Sequence, residues 1–101
     1  MTPVRFSLLF TTEAKRQLAK LERNPSQEKR LRIVRKTLGL MERDLHHPSL
    51  NTHKYQSLQG PNGEDVFEAY VQQKTPGAYR VFWCYGPKRQ QLTIIAITPH
   101  P

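Results

Sequence analysis

The chain has 101 residues, 37% of them hydrophobic and 9% aromatic, enough for one domain spanning residues 1–101 around one core and too few for two. The longest apolar stretches, Leu8 to Phe10 and Ile94 to Ile97, fall far short of the roughly 20 residues a membrane helix needs. Sixteen Lys and Arg against eight Asp and Glu give a net charge of +8, a field that favours polyanions, nucleic acid first.

The opening Met1-Thr2-Pro3-Val4-Arg5 lacks the basic and then apolar run of a secretion signal, which places the protein in the cytoplasm with no membrane partner. Val4 to Phe10 is rich in β-formers and reads as a strand. Thr11 or Thr12 then offers a capping hydroxyl, and Ala14, Leu18 and Leu21 recur at helical spacing until Asn24-Pro25 breaks the run. Ser26 is expected to cap a second helix, whose apolar stripe is Leu31, Val34, Leu38, Met41 and Leu45. Ten of the sixteen basic residues lie on this helical hairpin.

His46 to Gly60 is turn-rich and reads as a connection that Tyr55 and Leu58 pin to the core. Three strands follow, Val66 to Gln72, Tyr79 to Tyr85 and Leu92 to Thr98, divided by Gly- and Pro-bearing turns. Period-2 alternation puts Phe67, Ala69 and Val71 on a core face and Glu68, Tyr70 and Gln72 on a wetter one. It likewise sets Tyr79, Val81, Trp83 and Tyr85 against Arg80, Phe82 and Cys84. Short connections favour an antiparallel meander. The predicted class is α+β: an N-terminal strand, a helical hairpin and a three-stranded antiparallel meander, with the helices packed on one face of a twisted sheet. Cys84 stands alone, which excludes an internal disulfide, and no Cys-x-x-Cys spacing exists for zinc. His46, His47 and His53 lack a nearby carboxylate or thiol, so neither metal nor cofactor is expected.

This order, with Lys54-Tyr55-Gln56-Ser57-Leu58-Gln59-Gly60 closing the loop and Ala78-Tyr79-Arg80-Val81-Phe82-Trp83 in the penultimate strand, resembles the RelE/ParE superfamily of toxin-antitoxin toxins over nearly the whole chain. The resemblance implies one of two activities. One is a metal-independent, ribosome-dependent mRNA endonuclease of the RelE/YoeB/HigB kind, working by 2′-OH attack on the scissile phosphate. The other is a non-catalytic or ParE-like member that acts by binding a protein such as gyrase or its antitoxin. A cognate antitoxin is the implied partner in both, with mRNA and the ribosome in the first. Fold similarity alone does not choose the branch.

Cleavage by 2′-OH attack needs a base, a stabiliser of the phosphorane and an acid for the leaving oxygen. Arg80 matches the arginine of the family's Tyr-Arg strand motif and suits phosphate oxygens; its rival role is a structural partner of Glu68. On the first role, its removal is expected to leave the fold nearly intact. His100 matches a histidine that YoeB-like members carry in a polar C-terminal tail as general acid. The lysines of the RelE pattern are absent, and the resemblance leaves Glu68 as the carboxylate base. His53 and Lys54 occupy the loop where HigB-like members face RNA. Tyr85, beside Lys88 and Arg89, is placed to stack an unpaired base. A plain RNA-binding module with no antitoxin is the third reading of the same charge.

Overall fold

A computed structural model describes residues 5–73 and 75–100; Val4, where the first strand is expected to begin, lies outside them. The elements are β1 (Ser7–Phe10), α1 (Thr12–Arg23), a 3-10 turn (Pro25–Gln27), α2 (Glu28–Arg43), a second 3-10 turn (Pro48–Leu50), β2 (His53–Gln59), β3 (Asp65–Tyr70), β4 (Tyr79–Tyr85) and β5 (Gln91–Pro99). The strands form one sheet in the order β1-β5-β4-β3-β2. β1 runs parallel to β5, and every other pair is antiparallel. The class is the predicted α+β, with β5 paired on both sides as its apolar faces require.

The sheet has one strand more than the sequence suggests. His53–Gln59, read as a connection, pairs with β3 as an edge strand. Its alternation is short because the register slips between Tyr55 and Gln59, so that Val66 and Asp65, adjacent on β3, face residues four apart on β2. The bulge and the exposure of an edge removed the periodic signal. Gly60 closes this hairpin close against Glu64: a Cβ there would lie 2.5 Å from Oε1 and 3.1 Å from Cβ, so the Glu64 side chain would have to shift.

Thr11 is the first helix cap. Its hydroxyl accepts from the Ala14 N–H at 3.1 Å and donates to the Ile95 carbonyl at 2.9 Å, which ties the start of α1 to β5. Ser26 does not cap α2. The Asn24 side-chain oxygen accepts from both the N–H and the hydroxyl of Ser26, the chain makes a 3-10 turn, and α2 begins at Glu28. Both helices lie on one sheet face, where Ala14, Leu21, Val34, Leu38 and Met41 meet Ala69, Val81, Trp83, Leu92, Ile94 and Ile97. An Arg35–Glu22 pair at 2.8 Å joins the helices on their outer side.

Met41 is fully buried between α2 and the sheet. Met41→Ala is expected to lower unfolding free energy by about 2–5 kcal/mol through lost burial and a residual cavity, measured by urea denaturation.

Candidate active site

The sheet face away from the helices assembles the chemistry. Strand register sets Glu68 opposite His53 on one side and Phe82 on the other, and Arg80 between Tyr70 and Thr98. Opposed residues share a face, so β2 to β5 converge on one patch. His100 follows β5 and is held there by its backbone N–H, which donates to the Ala78 carbonyl at 2.8 Å.

Glu68 is the hub. It is 1% exposed, which corrects the wetter face expected for it: β2, β4 and the C-terminal segment cover its strand face, and Val66, Phe82 and Cys84 are buried beside it. A carboxylate so placed needs compensating charge or protons. Its Oε1 lies 2.8 Å from His53 Nε2, and its Oε2 lies 3.2 Å from His100 Nε2 and 4.0 Å from Arg80 Nε. Neither Oε2 nor Arg80 Nε has a formed hydrogen bond, so Oε2 meets His100 and Arg80 as close charges. Both imidazole side chains are 44% exposed, so they stand between the buried carboxylate and solvent.

The two histidines differ in what their second nitrogen does. His53 Nδ1 is 2.7 Å from the carbonyl of Asn51, a residue with φ +45°. A carbonyl accepts, so this nitrogen carries a proton, and Nε2 then faces a carboxylate. The ring thus bridges the Asn51 carbonyl and the Glu68 carboxyl. His100 has its Nε2 on Glu68 and, among the described residues, no partner at Nδ1. The Tyr55 ring stands edge-on to His100 at 6.4 Å and rests on Phe82 at 4.9 Å.

Arg80 is 8% exposed. Its Nη1 donates to the Gln72 carbonyl at 2.5 Å and the Tyr79 carbonyl at 3.1 Å, and its Cζ lies 3.8 Å above the Tyr70 ring. These contacts fix the guanidinium plane. They also overturn the expectation that removing Arg80 leaves the fold nearly intact. Tyr70, which shares the Glu68 face of β3, and Tyr55 and Asn51 complete the surroundings; the signal for Tyr55 was the His53/Tyr55 alternation hidden in the supposed loop.

The remaining candidates are elsewhere. Lys54 alternates away from His53 and lies 3.4 Å from Asp65. Tyr85 is on the helix face, packed against Phe6, Phe67 and Trp83. Lys88 and Arg89 occupy the turn between β4 and β5, at the opposite end of that hairpin from Arg80. Burial pushes the Cys84 thiol up, with the Glu64 carboxylate adding to the effect, so it stays protonated on this face.

No family model matches the sequence and no curated relative does. Solved structures do match. A YoeB/ParE toxin from Agrobacterium tumefaciens superposes with a TM-score of 0.68 at 11% identity, over 95% of this chain and 100% of that one. A Staphylococcus aureus YoeB dimer gives 0.62 at 11% identity, over 96% of this chain and 99% of that one. The archaeal RelE-RelB complex from Pyrococcus horikoshii gives 0.62 at 16% identity, over 94% of each chain. The chain has the RelE/ParE toxin fold. At these identities the likeness fixes the architecture and leaves the chemistry to the residues this chain carries. Within the RelE/ParE fold, the patch around Glu68 is a sheet face left bare of helices.

Arg80→Ala leaves a buried carboxylate short of a cation and two backbone carbonyls short of a donor. It is expected to cost about 2–4 kcal/mol of stability, read from urea unfolding. Cys84 should resist an aromatic disulfide reagent at about pH 8 in the folded protein and react at once after denaturation, followed by absorbance.

Proposed function

We propose that the protein is a toxin of a toxin-antitoxin pair that cleaves mRNA on the ribosome by metal-independent 2′-OH attack. The supporting observation is the pair of half-exposed imidazoles held by one buried carboxylate beside an oriented guanidinium. In-line displacement puts O2′ and O5′ on opposite sides of phosphorus, so two proton-transfer groups are needed. His53 and His100 supply two, on different oxygens of Glu68.

The two imidazoles divide the roles of base and acid. His100, whose Nε2 approaches Glu68 Oε2 at 3.2 Å and whose Nδ1 has no partner among the described residues, is read as the base. His53, half-exposed on the other carboxylate oxygen, is then read as the acid. The resemblance suggests His100 as acid and Glu68 as base; the burial of Glu68, too deep to meet a hydroxyl, favours a positioning role for it and leaves the base to an imidazole. As the O2′–P bond forms, His100 takes the 2′ proton. As P–O5′ breaks, His53 delivers one to O5′, giving a 2′,3′-cyclic phosphate and a 5′-hydroxyl. Arg80 has no hydrogen bond at Nη2 among the described residues and turns it to the phosphorane oxygens. The positive charge and the bare sheet face suit an acidic antitoxin that covers the site.

The test is cleavage of a defined mRNA in a purified translation system, with and without ribosomes, read by primer extension. His53→Ala and His100→Ala are each expected to slow cleavage by about 10²–10⁴. On RNA with a 5′-bridging sulfur, whose leaving group needs no acid, His53→Ala should recover most of its rate and His100→Ala should not. The opposite pattern exchanges the two roles. No cleavage by folded wild-type protein would overturn the nuclease reading in favour of a toxin that acts by binding a protein.

A further inference from the structure

The corner where α1 and its following turn meet the ends of β4 and β5 holds a pocket of about 420 Å³, within the range of small-ligand sites. Pro99 forms part of its wall and directly precedes His100, so the chain runs from the pocket on the helix side to the proposed active site on the other face. Its polar lining is one-sided. The Asn24 side-chain oxygen is taken by the N–H and hydroxyl of Ser26, and the Gln27 oxygen by Arg30 Nη1 at 2.7 Å. The Gln17 oxygen is taken by the Ile97 N–H at 2.6 Å. A backbone N–H and a guanidinium only donate, so the amide orientations are fixed by chemistry. Asn24 and Gln27 therefore turn NH₂ groups to the pocket they line.

Lys20 adds an ammonium with no ion pair among the described residues. The one carboxylate in the lining, Glu13, is held by Arg16 and Gln17. The hydrogen bond from Arg16 keeps that carboxyl below its usual range, so it stays ionised and engaged. The pocket is thus rich in donors and poor in free acceptors. Tyr79, capped by the Arg30 guanidinium at 4.5 Å, and Pro99 add flat apolar surface. Donors for an anion beside flat surfaces for a sugar or base suit a nucleotide better than a bare anion or an apolar peptide.

We propose that this pocket is a nucleotide subsite: it takes a nucleotide of the same strand, away from the scissile phosphate, with Lys20, Asn24 and Gln27 holding its phosphodiester. The proposal rests on the reading of the Glu68 patch as an RNA-cleaving site. It makes the α1 corner part of the substrate path, although no cleavage chemistry takes place there.

The experiment is a ¹⁵N NMR titration of the full chain with a short single-stranded RNA whose 2′-hydroxyls are all methylated, following the side-chain NH₂ signals of Asn24 and Gln27 and the imidazoles of His53 and His100. All four are expected to move together. The double variant Asn24→Asp, Gln27→Glu keeps the oxygens that bind Ser26 and Arg30 and removes the donors. With its melting temperature unchanged, it should bind the RNA at least about tenfold more weakly. Movement of the imidazoles alone, with the double variant binding normally, overturns the subsite and leaves the active-site reading standing. Movement of the amides alone keeps an RNA subsite and overturns the active-site reading. Equal amide shifts from inorganic phosphate at the same concentration reduce the pocket to a simple anion site and overturn the proposal. So does a response to an acidic peptide and none to RNA.

Discussion

A carboxylate buried in the middle of a sheet face organises this molecule. Moving an unpaired Glu68 out of water costs several kcal/mol, and the sheet alone offers it no compensation. The required charges and protons come from three directions: His53 from the edge strand, His100 from the chain end and Arg80 from the adjacent strand. The same carboxylate that must be neutralised therefore fixes the positions of the groups able to move protons. Removing the charge would relax the burial problem and scatter the site at once.

The fold makes this possible by treating its two sheet faces unequally. Alternation along β3 and β4 sends Ala69, Val81 and Trp83 into the helices and Glu68, Arg80 and Phe82 to the other side. A third layer does not cover that second face. It is dressed by β2, whose bulge lets Tyr55 lean on Phe82, and by the segment after β5. The half-covered state buries Glu68 while leaving both imidazoles partly in water. A full layer of helices would have excluded substrate, and a fully open face would have hydrated the carboxylate and weakened its hold on them.

The legible and illegible parts of the sequence divide by how local their physics is. The helical stripes of Val34, Leu38 and Met41, the Thr11 cap and the alternation of β4 are set by neighbours in the chain, and they read directly. β2 did not, because a bulged, polar edge strand carries little period-2 signal until its partner is known. The burial of Glu68 was hidden for the same reason: a glutamate between Phe67 and Ala69 looks wet until His53 and His100, which lie 15 and 32 positions away in sequence, close over it. Arg80 was picked out by its motif, yet its bonds to the Gln72 and Tyr79 carbonyls come from the β3–β4 turn folding back, which no spacing rule reports.

Charge and chemistry are also separated in space. Most of the cations stand on the outer sides of α1 and α2, behind the sheet from Glu68, where they attract a polyanion without contacting its reacting atoms. The Glu68 patch itself sets one carboxylate against Arg80 and two imidazoles, so its field is modest and specific. A strand drawn in by the helices must therefore pass an edge of the molecule to reach the site. The corner of α1 and β5 offers such a passage: Arg16 and Lys20 belong to the cationic helix, Pro99 adjoins His100, and the pocket between them touches both. On the proposed reading, attraction by the helices and catalysis by the sheet are two ends of one path, and the donor-lined pocket is where the strand turns from one face to the other.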